Sequence, residues 1–414
     1  MIIFNKIRSL LTNQFIRSVG VLAGGTAIAQ IIGILFLPIL TRLYTPEDFE
    51  TLATFLAVAS IIGVISCLRF EIAVPVPVEK EKAIHLVLLS IISTLSIVGI
   101  IIIIVFFFSE NINNFSEDKL EGVLWFIPLY IFLSGFYNAF QYWATRQKAF
   151  KIIAKTRIFQ ALLGGFLQIF LAPFGLVLGQ VVQFSVGFLS LFNKFIADSK
   201  NHLIKLSYAE IKNTALEYKK YPKYSTWEAL TNQSGAQIPL LLIAIYSIDA
   251  EAGFMMLAIK LMSAPIGLIG KAVSQVYLSE APKEHANGNL KQFTIKNSAM
   301  LFKLGAIPII LAAAVSPSVV PFIFGIGWER TGALMCWMAP WFLLQFVVSP
   351  VSMALNISEK QKVAMYLQLV GLIFRVGAVL VAINFFPNFL GETFAIANAV
   401  FYSLYLYVVI RSVE

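Results

Sequence analysis

Long apolar segments recur along the whole chain, separated by short polar connections. Residues 19–40, 83–108 and 301–315, for example, contain almost no charged residue. A helix needs roughly 20 apolar residues to cross about 30 Å of hydrocarbon, and these segments approach or exceed that length. The alternating ten-residue segments that are typical of a membrane β-barrel are absent from the sequence. The pattern therefore predicts an all-α membrane protein.

About twelve such segments are predicted to span the membrane, six on each side of a longer polar stretch at residues 198–224. We expect an amphipathic cytoplasmic segment at 1–18, a first six-helix bundle at 19–197, a cytoplasmic linker at 198–224 and a second six-helix bundle at 225–414. Halves with an even number of spans share one orientation and bind substrate between them near the midplane. The predicted spans are 19–40, 49–69, 83–108, 121–143, 153–173, 175–196, 226–246, 252–278, 297–315, 330–356, 363–386 and 389–410.

Composition agrees with the hydrophobic pattern. Charged residues make up 13% of the chain and hydrophobic residues 58%, whereas a soluble domain has about a quarter charged residues. The chain therefore has too few charged side chains to cover the surface of a soluble protein.

Lysine and arginine are distributed unevenly between the predicted connections. Of the 31 basic residues, 24 lie in the two termini and in every second connection, and three lie in the other connections. Basic connections stay on the cytoplasmic side of a membrane, so we predict a bacterial inner-membrane protein with both termini in the cytoplasm. The net charge of +9 thus follows from topology, and no nucleic acid partner is needed to explain it.

Four basic residues lie inside predicted spans, at Lys260, Lys271, Lys303 and Arg375. A charge inside a span costs about 2.5–3.5 kcal/mol on insertion scales, so it normally faces a cavity or a partner. Lys260 and Lys271 are eleven residues apart on one predicted helix and thus lie on one side. We predict that Arg375, Lys260 and Lys271 bind a diphosphate in a cavity. Snorkelling of the lysines, or a buried structural pair for Arg375, is the alternative.

Four further charged residues are candidates for a role in transport. Arg69 and Glu71, at the end of the second predicted span, would not face each other on a helix; with Arg42 they mark a cavity mouth or brace the bundle. Glu228 is a candidate for binding a coupling ion. It is alternatively a partner of Lys271 or a residue at a helix start.

Several uncharged polar residues lie within predicted spans. Their amide groups can hydrogen-bond sugar hydroxyls, although hydrogen bonds between helices are the commoner use of such residues. The candidate sugar contacts are Gln30, Asn138, Gln141, Asn232 and Gln233.

Four stretches carry a resemblance to a known family: LPILTRLYTPEDFE at 37–50, LRFEIAVPVPVEKEKA at 68–83, and the longer stretches 218–242 and 252–281. Together, and in this order, they resemble the O-antigen or oligosaccharide flippases (Wzx type) of the polysaccharide-biosynthesis branch of the multidrug/oligosaccharidyl-lipid/polysaccharide (MOP) exporter superfamily. The chain departs from that pattern at Lys271, where a neutral polar residue is more usual.

This resemblance implies two pseudo-symmetric, MATE-like six-helix bundles around a central cavity. It implies a flippase that moves a polyprenyl-diphosphate-linked oligosaccharide to the outer leaflet by alternating access, for O-antigen, lipopolysaccharide or capsule synthesis. The expected partners are this lipid-linked cargo, membrane lipids and polysaccharide polymerase machinery. An H⁺ or Na⁺ gradient is expected to drive transport, with no cofactor.

Two other transport functions fit the same fold, a drug/cation antiporter and a lipid II flippase. An antiporter for cationic drugs would favour carboxylates in its cavity, whereas the deeply placed charges here are mainly basic. An enzyme is not expected, because the sequence has no glycine-rich phosphate loop, zinc motif or nucleophilic triad and its extracytoplasmic connections are short. We therefore assign no catalytic and no metal-binding residue.

Overall fold

The computed structural model describes residues 14–203, 207–247, 249–266, 270–358 and 360–413. These residues form helices and turns, and no strand occurs among them. The helices are α1 Gln14–Leu43, α2 Pro46–Gly63, α3 Phe70–Ala73, α4 Lys80–Phe115, α5 Phe126–Arg146, α6 Phe150–Phe170, α7 Gly175–Leu203, α8 Tyr208–Glu217, α9 Thr226–Tyr246, α10 Glu251–Pro265, α11 Lys271–Ala286, α12 Leu290–Phe324, α13 Glu329–Val351, α14 Ala354–Ile357, α15 Gln361–Phe385 and α16 Leu390–Ser412.

Eight of the described helical segments are long and apolar enough to cross a membrane. They are α1, α4, α6, α7, α12, α13, α15 and α16. The helices at the four other predicted spans, α2, α5, α9 and the pair α10 and α11, are shorter or carry more polar residues. Most of the N-terminal segment predicted to be amphipathic lies outside the described residues.

The chain divides into two compact units. Unit 1 comprises Met1–Phe36 and Val58–Leu230, and unit 2 comprises Leu37–Ala57 and Thr231–Glu414. The sequence division placed all of residues 19–197 in the first bundle. In the structure, the end of α1 and the start of α2 belong to unit 2.

Local packing within unit 2 explains this assignment. The ring of Phe49 on α2 meets that of Trp328 edge to face, with centroids 4.8 Å apart. The indole Nε1 of Trp328 donates a hydrogen bond to the carbonyl oxygen of Thr41, 3.0 Å away. Helix α10 approaches α2 so closely that a Cβ on Gly253 would overlap the carbonyl oxygen of Pro46.

An aromatic array forms part of the core of unit 1, where α5 packs against α7. The ring centroids of Phe140 and Phe195 are 5.2 Å apart. Trp143, one turn further along α5, meets Phe195 edge to face at 5.2 Å. Aromatic pairs of this kind contribute about 0.5–1.5 kcal/mol beyond the area they bury. The array therefore packs α5, which also carries Tyr142, against α7.

The second predicted span is interrupted before it ends. Helix α2 stops at Gly63, and a series of turns leads to the short helix α3. Leu68 and Arg69 take left-handed backbone angles, with φ of 48° and 62°. Such angles are uncommon for residues other than glycine, so the surrounding contacts hold this turn in place.

The eighth predicted span contains two described helices. Helix α10 ends at Pro265, and α11 begins at Lys271. Residues 267–269 lie outside the described part of the chain. Ile266 and Gly270, on the two sides of this gap, have right-handed helical backbone angles. A single span over 252–278 therefore stays a prediction.

Candidate functional site

Arg375 is a nearly buried cation in the middle of α15. Its side chain is 5% exposed, and its Nε donates a hydrogen bond to the carbonyl oxygen of Gly371, 2.9 Å away. The guanidinium carbon lies 4.6 Å from the ring centroid of Phe401 on α16, close enough for a cation–π interaction. Among the described residues it has no carboxylate partner, and only Nε of its guanidinium makes a hydrogen bond. The cation is therefore held by a carbonyl oxygen and a ring.

A glycine on α9 provides the space for this guanidinium. The Nη2 atom of Arg375 is 2.6 Å from the position that a Cβ on Gly235 would occupy. Any larger residue at this position would push the guanidinium away. Gly235 and Phe401 therefore shape the Arg375 site, although the sequence analysis assigned a role to neither residue. The nearest signal in the sequence was the candidate sugar contact Asn232, about one turn before Gly235 on the same helix.

Lys260 is half-buried on α10, in the same unit as Arg375. Its ammonium group forms no ion pair or hydrogen bond with any residue that the structure describes. Lys271 is the first residue of α11, and its side chain lies outside the description. That the two lysines lie on one side of a helix stays a prediction, because residues 267–269 between them lie outside the described part of the chain.

Arg42 lies at the end of α1 and reaches another helix of unit 2. Its Nη2 donates a hydrogen bond to the carbonyl oxygen of Ile323, 3.4 Å away in the last turn of α12. The carbonyl groups at a helix C-terminus carry partial negative charge, which favours a cation there. This exposed contact ties the end of α1 to α12.

Arg69 and Glu71 form an ion pair in unit 1. Arg69 Nη1 and Glu71 Oε1 are 3.7 Å apart. The prediction that these side chains would not face each other was wrong, because Arg69 lies in a left-handed turn rather than in a helix. Glu71 is 5% exposed, and its second carboxylate oxygen, Oε2, is buried without a hydrogen-bond partner.

The other candidate residues lie on three helices, α1, α5 and α9. Glu228 is exposed in the first turn of α9. Asn232 is exposed on the same helix, whereas the four other candidate sugar contacts are half-buried. Gln30, Asn138 and Gln141 belong to unit 1, and Asn232 and Gln233 belong to unit 2. The Oε1 atom of Gln30 is buried without a hydrogen-bond partner among the described residues.

A three-residue ion network in unit 2 was missed by the sequence analysis. Arg330 donates to Glu251 from Nε at 2.9 Å and from Nη2 at 2.7 Å. Its Nη1 lies 2.6 Å from a carboxylate oxygen of Glu392. The three residues lie in the first turns of α13, α10 and α16, so the network joins three helices. The only sequence signal was that Arg330 is isolated in a connection with few basic residues.

The chain matches one protein family and several solved structures. A model of a family described as polysaccharide biosynthesis protein matches residues 39–332. No curated protein matches the chain. Among solved structures, the inward closed conformation of the lipid II flippase MurJ matches with a TM-score of 0.72 and 16% identity, covering 94% of this chain and 87% of that protein.

Two further solved structures belong to the MOP superfamily. An inward-facing MATE-family multidrug resistance transporter matches with a TM-score of 0.74 and 13% identity, over 93% of this chain and 94% of that one. A MOP transporter from Pyrococcus furiosus matches with a TM-score of 0.58 and 13% identity, over 96% and 95% of the two chains. At such identities the likeness shows the fold. The predicted all-α, MATE-like membrane fold is confirmed.

Proposed function

Because the chain belongs to the polysaccharide biosynthesis protein family, we propose that it is a flippase for a polyprenyl-diphosphate-linked oligosaccharide. The family match covers more than half of the chain and confirms the branch of the MOP superfamily that the sequence motifs indicate. The fold match supports a multi-pass membrane transporter. The identity of the cargo is the part that we propose.

The observation that carries the proposal is the unpaired Arg375. A buried cation is costly, and a carboxylate partner would normally offset part of that cost. None is present among the described residues, so the guanidinium is free to bind an anion that comes and goes. A guanidinium matches the oxygens of a phosphate through two parallel hydrogen bonds, and a diphosphate presents such oxygens.

Lys260 supplies a second cation in the same unit. Its ammonium group, unpaired among the described residues, suits a phosphate because lysine acts as a compact point charge. We propose Lys271 as a third cationic residue on the cargo path. The proposed contacts to sugar hydroxyls are Gln30, Asn138, Gln141, Asn232 and Gln233. The proposed residues at the cavity mouth, or bracing the bundles, are Arg69, Glu71 and Arg42.

In this proposal the cargo moves from the cytoplasmic to the outer leaflet of the bacterial inner membrane by alternating access. An ion gradient drives the cycle, with Glu228 as one candidate for binding the ion. The product feeds polymerase machinery for a surface polysaccharide such as O-antigen or capsule. Both termini lie in the cytoplasm, where the basic connections place them.

A lipid II flippase is the second candidate, favoured by the match to MurJ. A lipid-linked peptidoglycan precursor and a lipid-linked oligosaccharide both carry a diphosphate, so Arg375 serves either cargo. The polysaccharide family match favours the oligosaccharide. A drug/cation antiporter, the activity suggested by the MATE-family match, fits less well because a buried arginine would repel a cationic substrate.

The test is a deletion strain that has no redundant flippase. We expect the lipid-linked repeat unit to accumulate while surface polysaccharide is lost, and mass analysis of the accumulated lipid identifies the cargo. Wild type should restore the polymer, whereas Arg375→Ala at equal membrane abundance should not. Arg411→Ala, which removes an exposed arginine on α16, is the matched control. Full surface polysaccharide in the deletion strain would overturn the proposal.

A further inference from the structure

The turn that carries Glu71 encloses a carboxylate with incomplete partnering. Leu68 and Arg69 have left-handed backbone angles in the turn after α2, and Glu71 follows as a buried residue of α3 in unit 1. The carboxylate has one ionic contact, the 3.7 Å pair with Arg69, which is longer than a good hydrogen bond. Its Oε2 atom is buried without a partner, as is Nε of Arg69.

An unpartnered buried carboxylate oxygen is unusual. A buried charge normally receives several hydrogen bonds, because the loss of water is otherwise not offset. A protonated carboxyl is neutral, and its burial costs much less. The geometry therefore fits the protonated form of Glu71 better than the ionised form.

The titratable groups that interact electrostatically with Glu71 are few. They are Arg69 and Cys67 on its own turn and Tyr142 on α5. Cys67 is itself buried, and its Sγ lies 3.4 Å from the carbonyl oxygen of Gly135. Of these groups, Arg69 alone carries a positive charge that favours the ionised carboxylate.

Several other charged side chains on the packed elements contact different partners. His85 on α4 lies 3.1 Å from the hydroxyl of Thr214 and 3.9 Å from Glu210. Arg146 on α5 donates to the carbonyl oxygens of Pro77 and Val78. On α4, Lys80 donates to the carbonyl oxygen of Asp198 and Lys82 pairs with Glu79 and Glu217, while Lys223 in the π-helical turn Tyr221–Ser225 lies over the ring of Tyr224.

We propose that Glu71 is a proton-binding site, at which the carboxylate takes a proton from water and thereby releases Arg69 from its ion pair. Loss of the proton restores the pair. The turn thus has two states, which differ in one proton and in the freedom of the Arg69 guanidinium. Identification of this proton as the ion coupled to transport rests on the proposed function, whereas proton binding itself does not.

Burial supports this assignment. Glu71 lies outside the candidate membrane spans, and burial raises the pKa of its carboxyl to about 7. A hydrogen bond from its own backbone N–H and the positive charge of Arg69 oppose this rise without cancelling it. A carboxyl with this pKa changes charge across the pH range of a living cell. The sequence analysis placed Glu71 at a cavity mouth or in a brace and considered Glu228 for the ion. Glu228 is exposed, whereas Glu71 is buried.

The direct test is infrared difference spectroscopy of the purified full-length protein in detergent, titrated from pH 5 to pH 9. We expect the carbonyl stretch of a protonated carboxyl to appear on acidification with a midpoint near neutral pH. Glu71→Gln should lack this band, and Glu228→Gln should keep it. Retention of the near-neutral band in Glu71→Gln would overturn the proposal.

A second variant keeps the carboxyl and tests the same site. Arg69→Gln removes the positive charge that favours ionised Glu71, so the midpoint should move upward by about 1 pH unit. An unchanged midpoint contradicts the proposal. Both measurements are made without cargo, so their failure leaves the proposed flippase function standing. A failure of genetic complementation, in turn, leaves the proton site standing.

Discussion

The guanidinium of Arg375 lies where a side chain on Gly235 would have to go, with Nη2 2.6 Å from that Cβ position. The contact joins α15 to α9 within unit 2. Gly235 has no functional group, but its lack of a side chain positions the cation, as does the aromatic ring of Phe401. A prediction follows for each side of this contact.

Gly235→Ala should impair the display of surface polysaccharide nearly as much as Arg375→Ala. The added methyl group would overlap Nη2 and move the guanidinium away from Phe401. Complementation of the deletion strain, at matched membrane abundance, measures the effect. Gly377→Ala on α15 is the control, because no atom apart from its chain neighbours and the nearby backbone of its own helix lies within 4 Å of its Cβ position. Equal polymer from both glycine variants would contradict this role for Gly235.

Arg375→Lys separates charge from geometry. Lysine keeps the positive charge, but it loses the paired hydrogen bonds to phosphate and the flat contact with Phe401. We expect transport about tenfold below wild type, equivalent to about 1.4 kcal/mol, and still above that of Arg375→Ala. The initial rate of lipid-linked sugar translocation into proteoliposomes measures this. A rate equal to that of wild type would show that charge alone is sufficient.

Arg330→Gln should destabilise the fold more than it impairs cargo binding. The substitution leaves Glu251 and Glu392 facing each other without the cation that joins them. Breaking a buried ion pair costs about 3–5 kcal/mol; because the arginine is partly exposed, we expect about 2–3 kcal/mol. Thermal unfolding in detergent measures the change. Arg42→Gln, which removes one exposed hydrogen bond, is the control and should shift Tm only slightly. Similar Tm shifts in Arg330→Gln and Arg42→Gln would contradict a stabilising role of the network.

Proton binding at Glu71 should also make the free energy of unfolding depend on pH. Burial raises the pKa of this carboxyl from 4.5 to about 7, so its contribution to stability is complete below pH 4.5 and is lost as the pH rises through 7. Glu71→Gln stays neutral and avoids this loss. Relative to wild type, the variant should therefore gain stability between pH 5 and pH 8, by up to roughly 3 kcal/mol. If Tm changes in the same way with pH in wild type and in Glu71→Gln between pH 5 and pH 8, Glu71 does not bind a proton in this range.

The sequence predicted the helices well where hydrophobicity alone decides. Segments such as 83–108 and 297–315 reappear within α4 and α12, because transfer of an apolar helix into lipid depends on composition rather than on neighbours. The predictions failed where backbone conformation changes inside a span. The left-handed turn at Arg69 directly follows an apolar stretch, where hydropathy carries no signal of a turn.

The sequence by itself determined the membrane class, the family and the few charged residues that a span must accommodate. These follow from residue type and local order, since the cost of placing a charge in hydrocarbon belongs to each residue separately. Only the tertiary structure decided which charges have partners. Arg330 meets two glutamates that are 79 and 62 positions away, whereas Arg375 meets a ring and a glycine. Such pairings depend on how distant helices pack, and that packing separates a structural arginine from one that can bind cargo.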